Sequence, residues 1–105
     1  MSAYGYARIM RVEDRKYRKP ETKITEIMDY SAVNGITLKG VYVDDRCSGL
    51  TKDRPELNRI IRLVQAGELD ILICADQTSL GIDPAVTDGL SRYLADHGVR
   101  LLYVS

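Results

Sequence analysis

The 105-residue sequence contains no tryptophan and no phenylalanine, and its aromatic content rests on seven tyrosines. Cysteine is nearly as scarce: Cys47 and Cys74 stand alone, with no CxxC pair and no cysteine–histidine cluster. That spacing suggests neither a zinc site nor a disulfide framework. Excess charge is missing too, since 15 Lys and Arg balance 15 Asp and Glu. A neutral domain offers no general attraction for nucleic acid or an anionic membrane, so any such contact has to rest on a local patch. No apolar run approaches the roughly 20 residues that span a bilayer. The opening MSAYGYARIM lacks the charged segment and apolar run of a secretory signal. The expectation is a soluble protein of a reducing, cytoplasmic compartment, free of metal and cofactor. At this length it should form one domain with a core sufficient for independent folding.

What is present is an alternation of short apolar runs and helical patterns. Residues 4–10, 40–43, 69–74 and 99–104 read as strands. LDILICA and VRLLYV are almost continuously apolar, which suits strands buried on both faces of a parallel sheet. The first helical pattern places Ile24, Ile27, Met28 and Ser31 on one face and stops at Asn34-Gly35. The second opens at Asp53-Arg-Pro55, where a proline suits the first turn, and aligns Leu57, Ile60, Ile61 and Val64 before Gly67. The third opens at Asp83-Pro84, aligns Val86, Leu90, Tyr93 and Leu94 as a core stripe, and stops at His97-Gly98. The alternation predicts an α/β fold, a three-layer flavodoxin-like parallel sheet with helices on both faces. Residues 11–20, RVEDRKYRKP, are the one stretch without periodicity, carrying five basic and two acidic residues.

In open parallel sheets functional groups collect beyond the carboxyl ends of the strands. Here the first strand ends at Arg8, the second at Asp44-Asp45 and the third at Asp76, while Arg54 starts a helix from the same side. Charges of both signs are therefore expected along one edge. Strand ends that emerge into solvent are polar in any case, so topology alone does not make this edge a site.

Four segments in order carry a more specific signal: YGYARI, VYVDDRCSG, KDRPELNRII and AGELDILICAD. D-x-x-S-G followed five residues after the glycine by R-P-x-L, with Y-A-R at the start, is a demanding combination. Over essentially the whole chain it resembles the catalytic domain of the serine recombinases: the resolvases, DNA invertases and serine integrases. The resemblance implies a resolvase-like fold and a chemistry in which a serine hydroxyl attacks a DNA phosphodiester, leaving a phosphoserine bond and a free 3′ hydroxyl. Arginines surround such a phosphate because fixed guanidinium donors stabilise the charge gathering on it. By the family's motifs Arg8 falls on the arginine of Y-x-R-x-S, with Tyr6 beside it as a supporting residue. Asp45 falls on the acidic residue before x-x-S-G, Arg54 on the arginine of the following R-P, and Asp76 on the aspartate after the third strand.

The departures from that pattern are equally specific. The nucleophile position falls on Met10, and a thioether has no proton to lose and no anionic form with which to attack phosphorus. The two arginines that grip the scissile phosphate in the family fall on Gln77 and Leu80, and the glutamine near the start of its first helix falls on Lys23. Each lost charge-assisted contact would cost on the order of 10²–10³ in rate. The expectation is a degenerate recombinase-type domain without strand-cleavage activity, acting as an accessory or regulatory module or remaining as a remnant on a mobile element. The alternative is a fragment or variant of an active site-specific DNA recombinase. The family's long dimerisation helix and DNA-binding domain have no counterpart in residues 1–105, which comprise the catalytic core alone. DNA is thus expected as a weak partner, with a homodimer or other recombinase subunits beside it, and with neither membrane nor small-molecule substrate.

Other residues read more simply. Ser48 in the x-S-G turn supports the edge better than it supplies a substitute nucleophile, and Ser79 is a weaker candidate still. Cys47 beside Arg46 could hold a lowered pKa, but an ordinary loop cysteine is the simpler reading. Cys74 suits the core. A metal or phosphoacceptor role for Asp44, Asp45 and Asp76 is disfavoured by the arginine that ends the first strand. A small-molecule or nucleotide binder would want a glycine-rich phosphate loop there, and none is present.

Overall fold

The computed structural model describes residues 2–9, 20–45, 54–77, 79–81 and 83–105. Met10, the basic run at 11–19, Cys47, Ser48 and Asp53 lie outside these, as does the side chain of Asp45. The described chain alternates β1 (Ala3–Ile9), α1 (Pro20–Val33), β2 (Leu38–Asp45), α2 (Pro55–Gln65), β3 (Ile71–Cys74), α3 (Pro84–Asp96) and β4 (Arg100–Tyr103). All pairings are parallel and the strand order is β2-β1-β3-β4. The predicted fold class is therefore the observed one. Strand β2 extends two residues beyond the apolar run at each end: Leu38 pairs with Ala3 ahead of a register shift at Lys39, and the aspartates pair with Arg8 and Ile9 through backbone that is indifferent to side-chain polarity.

Alternate strand residues feed two separate cores. Tyr6, Leu72 and Cys74 pack with Leu57, Ile60 and Val64 of α2 and Leu94 of α3, flanked by the half-buried Tyr4, Tyr42, Leu101 and Tyr103. On the opposite face Ala3, Ala7, Ile71 and Ile73 pack with Ile27 of α1. Small residues on that face of β1 let the helix approach closely. A Cβ at Gly5 would meet the Ile27 Cγ2 atom at 2.7 Å, so a larger residue there would push α1 away. Each fully buried aliphatic side chain, such as Ile27, Ile60 or Leu72, contributes about 1.5–3 kcal/mol.

Two expectations about helix faces need correction. Met28 is 54% exposed although it lies on the periodic stripe of α1, and the buried positions of that helix are Lys23, Ile27 and Ser31. Those three recur at i, i+4 and i+8 along one face, and Met28, one residue on from Ile27, is turned about 100° away from it. On α3 only Leu94 is buried and Val86 is 42% exposed, so the stripe assigned to the core only grazes it. This helix reaches the sheet at its carboxyl-terminal half, over β4.

At the amino end of the sheet every helix hands over to its strand in the same way. Gly35, Gly67 and Gly98 follow α1, α2 and α3 with φ of 68°, 71° and 74°. These are left-handed positions that close a helix. The same end is tied by the Ser2 amide, which donates to the Asp70 carboxylate at 2.7 Å, and by the Asp70 amide, which donates to the Ser2 carbonyl at 2.8 Å.

Candidate active-site edge

The carboxyl end of the sheet gathers the charged residues predicted for it. Parallel pairing sets Arg8 opposite Asp44 and Ile9 opposite Asp45, and the Ala75 amide donates to the Tyr6 carbonyl, so Asp76 emerges beside the end of β1. Arg8, Lys23, Asp44 and Arg54 are all buried here, at 1%, 6%, 1% and 4% exposure. Burying charge is costly unless each group finds partners. The geometry supplies them.

Asp44 accepts three hydrogen bonds among the described residues. It accepts from the Tyr6 hydroxyl at 2.7 Å and from the Glu56 and Leu57 amides at 2.9 Å each. The last two are first-turn donors of α2, which has no intrahelical acceptors for them. Arg54 occupies the N-cap position without a side-chain cap, so a carboxylate from β2 caps the helix across the sheet edge and meets its positive dipole end. Burial pushes the Tyr6 phenol well above its ordinary range, and its bond to the Asp44 carboxylate pushes it further. The Arg54 and Arg8 charges only partly offset this. Tyr6 therefore stays a neutral donor.

The turn after β3 is held on both sides. The Arg54 Nη1 donates to the carbonyls of Leu80 at 2.8 Å and Ser79 at 3.3 Å, while its buried Nε has no hydrogen-bond partner among the described residues. The Ser79 hydroxyl donates to Asp76 Oδ1 at 3.4 Å and accepts from the Asp76 amide at 3.3 Å. It staples the turn. The Leu80 side chain is fully buried in the α2/α3 core, and Gln77 is exposed. Lys23, from the first turn of α1, completes the edge: its Nζ donates to the Arg8 carbonyl at 3.0 Å and pairs with Asp76 Oδ2 at 3.3 Å.

The structure thus brings together Tyr6, Arg8, Arg54, Asp76 and Leu80 from the predicted set, with Gln77 at the rim. Two participants were underrated by sequence reasoning. Asp44 was visible in its parity: it alternates with Tyr42, which faces the same core as Tyr6. Lys23 was noted only as a substituted position, and nothing local in ETKITEI marks a lysine for burial. Among the described residues no three His, Cys, Asp or Glu side chains converge as metal ligands. No described helix is long and apolar enough to cross a membrane.

Residues 3–105 match the family described as the resolvase N-terminal domain. The chain belongs to that family. Solved structures resembling this resolvase domain share its fold at low identity. The C-terminal catalytic domain of ISC1926 TnpA, an IS607-like serine recombinase, matches with a TM-score of 0.86 and 21% identity, over 99% of this chain and 70% of that one. The N-terminal catalytic domain of TP901-1 integrase matches at 0.85 and 16%, over 99% and 77%. A resolvase family site-specific recombinase from Streptococcus pneumoniae matches at 0.83 and 19%, over 99% and 72%. No curated protein sequence matches significantly. The resolvase domain is thus a serine-recombinase-like module, and its sheet edge is the part to weigh for chemistry.

Proposed function

We propose that this domain no longer cleaves DNA and that it acts in recombination by associating with DNA or with recombinase subunits. The observation that carries the reading is Leu80. At a position where the family places an arginine against the scissile phosphate, this chain has a fully buried leucine whose carbonyl accepts from Arg54. A residue packed into the core cannot also present a cation to a phosphate. Met10 in the nucleophile position and Gln77 in the other clamp position point the same way. Without an ionisable hydroxyl at position 10, no phosphoserine bond can form there. Arg8, Arg54, Asp45 and Asp76 retain the family's residue types and, on this reading, serve an ancestral scaffold, with Tyr6 and Ser48 in support. The neutral net charge limits any phosphate affinity of the domain by itself.

The test is incubation with supercoiled plasmid bearing candidate sites, followed by denaturation and a search for covalent protein–DNA adducts. None is expected from this chain or from Met10→Ser. Adducts from the unaltered chain would establish the alternative, an active recombinase core. Robust cleavage by Met10→Ser alone would show that positions 77 and 80 are dispensable.

A further inference from the structure

The strand order reverses between β1 and β3, since β1 is followed in sequence by its neighbour on one side and then by its neighbour on the other. Such a reversal opens a crevice outside the carboxyl ends of the two strands, where α/β sheets ordinarily receive a ligand. In this protein a side chain of the chain itself bridges that place. Lys23 reaches from α1 to the end of β1 through the Arg8 carbonyl, and to the exit of β3 through the Asp76 carboxylate.

We propose that Lys23 is a positioning residue that latches the switch-point crevice shut, holding the end of β1 and the segment that begins at Asp76 in one fixed relation. Three observations carry this. Lys23 is 6% exposed, so its ammonium has left water for these partners rather than meeting them at the surface. Those partners lie at the end of β1 and just beyond the end of β3, the two strands that flank the reversal, so the contact spans the crevice instead of lining one wall. Asp76 is in turn fixed by Ser79, and the Ser79 and Leu80 carbonyls receive Arg54, so the latch passes its constraint to the guanidinium at the start of α2. Neutral Gln could satisfy the carbonyl but would leave the Asp76 carboxylate without this counter-charge, whereas Arg retains both donor and charge. The inference concerns the free domain and does not depend on whether DNA is cleaved, so its failure would leave the proposed function untouched.

The test is amide hydrogen exchange and ¹⁵N NMR on Lys23→Gln, Lys23→Arg and Asp76→Asn, without DNA. In Lys23→Gln the amides of Ala75 and Ser79, bonded to Tyr6 and Asp76 carbonyls, should exchange at least about tenfold faster. The Val99 amide, bonded to the Leu94 carbonyl on the far side of the domain, should hold its rate. The Arg54 Nε–H resonance should shift in Lys23→Gln and return in Lys23→Arg. In a thermal cycle, the double variant Lys23→Gln/Asp76→Asn should lose no more Tm than the worse single variant. Unchanged exchange at Ala75 and Ser79, failure of Lys23→Arg to restore it, or additive Tm losses would each overturn the latch. Should Lys23→Gln fail to fold, Asp76→Asn decides the matter by the same exchange readout, since its side chain is 20% exposed and its loss is milder.

Discussion

At the amino end of the sheet, three helices turn into three strands through glycines whose φ values lie within a few degrees of one another, and almost no charge is buried. At the carboxyl end there is no repeated device. A tyrosine, an aspartate, two arginines and a lysine are buried together, and each is held by a contact from a different part of the chain. One end is assembled from local turns that any sequence with a glycine in the right place could make. The other exists only when β1, β2, α1, α2 and the turn after β3 are all in place. Local structure and long-range structure have thus been sorted to opposite ends of one sheet. Substitutions at the two ends should differ in size and in character.

The largest effect is expected from Asp44→Ala. It removes the acceptor of the Tyr6 hydroxyl and of the Glu56 and Leu57 amides at a largely buried edge, so unfolding in urea should show a loss of about 3–5 kcal/mol. A loss under about 1 kcal/mol would mean that water or another acceptor replaces it and that the edge is less interdependent than its geometry implies. Leu80→Ala should follow, at about 2–4 kcal/mol, because it opens a cavity beneath the turn that Arg54 holds. At the amino end, Gly67→Ala should cost only about 1–2 kcal/mol. A Cβ there meets nothing within 4 Å, so the penalty is backbone strain alone. A cost equal to that of Asp44→Ala would erase the distinction between the two ends.

A smaller, pH-dependent effect isolates Tyr6. Its folded-state pKa lies above its unfolded value, so its contribution is fully present below about pH 10 and is lost as pH rises, when only the unfolded chain releases the proton. The buried thiol of Cys74 is raised in the same direction by burial and by the Asp76 charge, and it adds to the loss from lower pH. Above pH 10 the stability of Tyr6→Phe should fall less steeply than that of the parent, by up to about 1.4 kcal/mol per pH unit. Parallel slopes would place the phenol in contact with water.

The same division explains what could be read from the amino-acid string. Asn34-Gly35, Gly67 and His97-Gly98 announce the helix ends because a left-handed residue is a local requirement. LDILICA announces a strand buried on both faces because its composition is unbroken. Edge contents were legible from the strand ends and the helix start, which bring Arg8, Arg54 and Asp76 to the carboxyl side of the sheet. Their partners were not, since Asp44 capping a helix that begins eleven residues later is decided by register, not by composition. Lys23 and Met28 show the cost most plainly. Periodicity alone assigns the methionine to the core, whereas the structure exposes it and buries Lys23 in a long-range ion pair with Asp76.

Cys74 gives the buried centre a further property. Its thiol sits at zero exposure in β3, between the strand that begins the chain and the strand that ends it. Because the side chain packs beneath α2 and α3, an electrophile in solution can reach that sulfur only when the helices on this face lift from the sheet. In a Cys47→Ser background the rate of thiol capture is therefore a clock for the parting of two layers, ticking at the frequency with which α2 and α3 come away from the middle of the sheet.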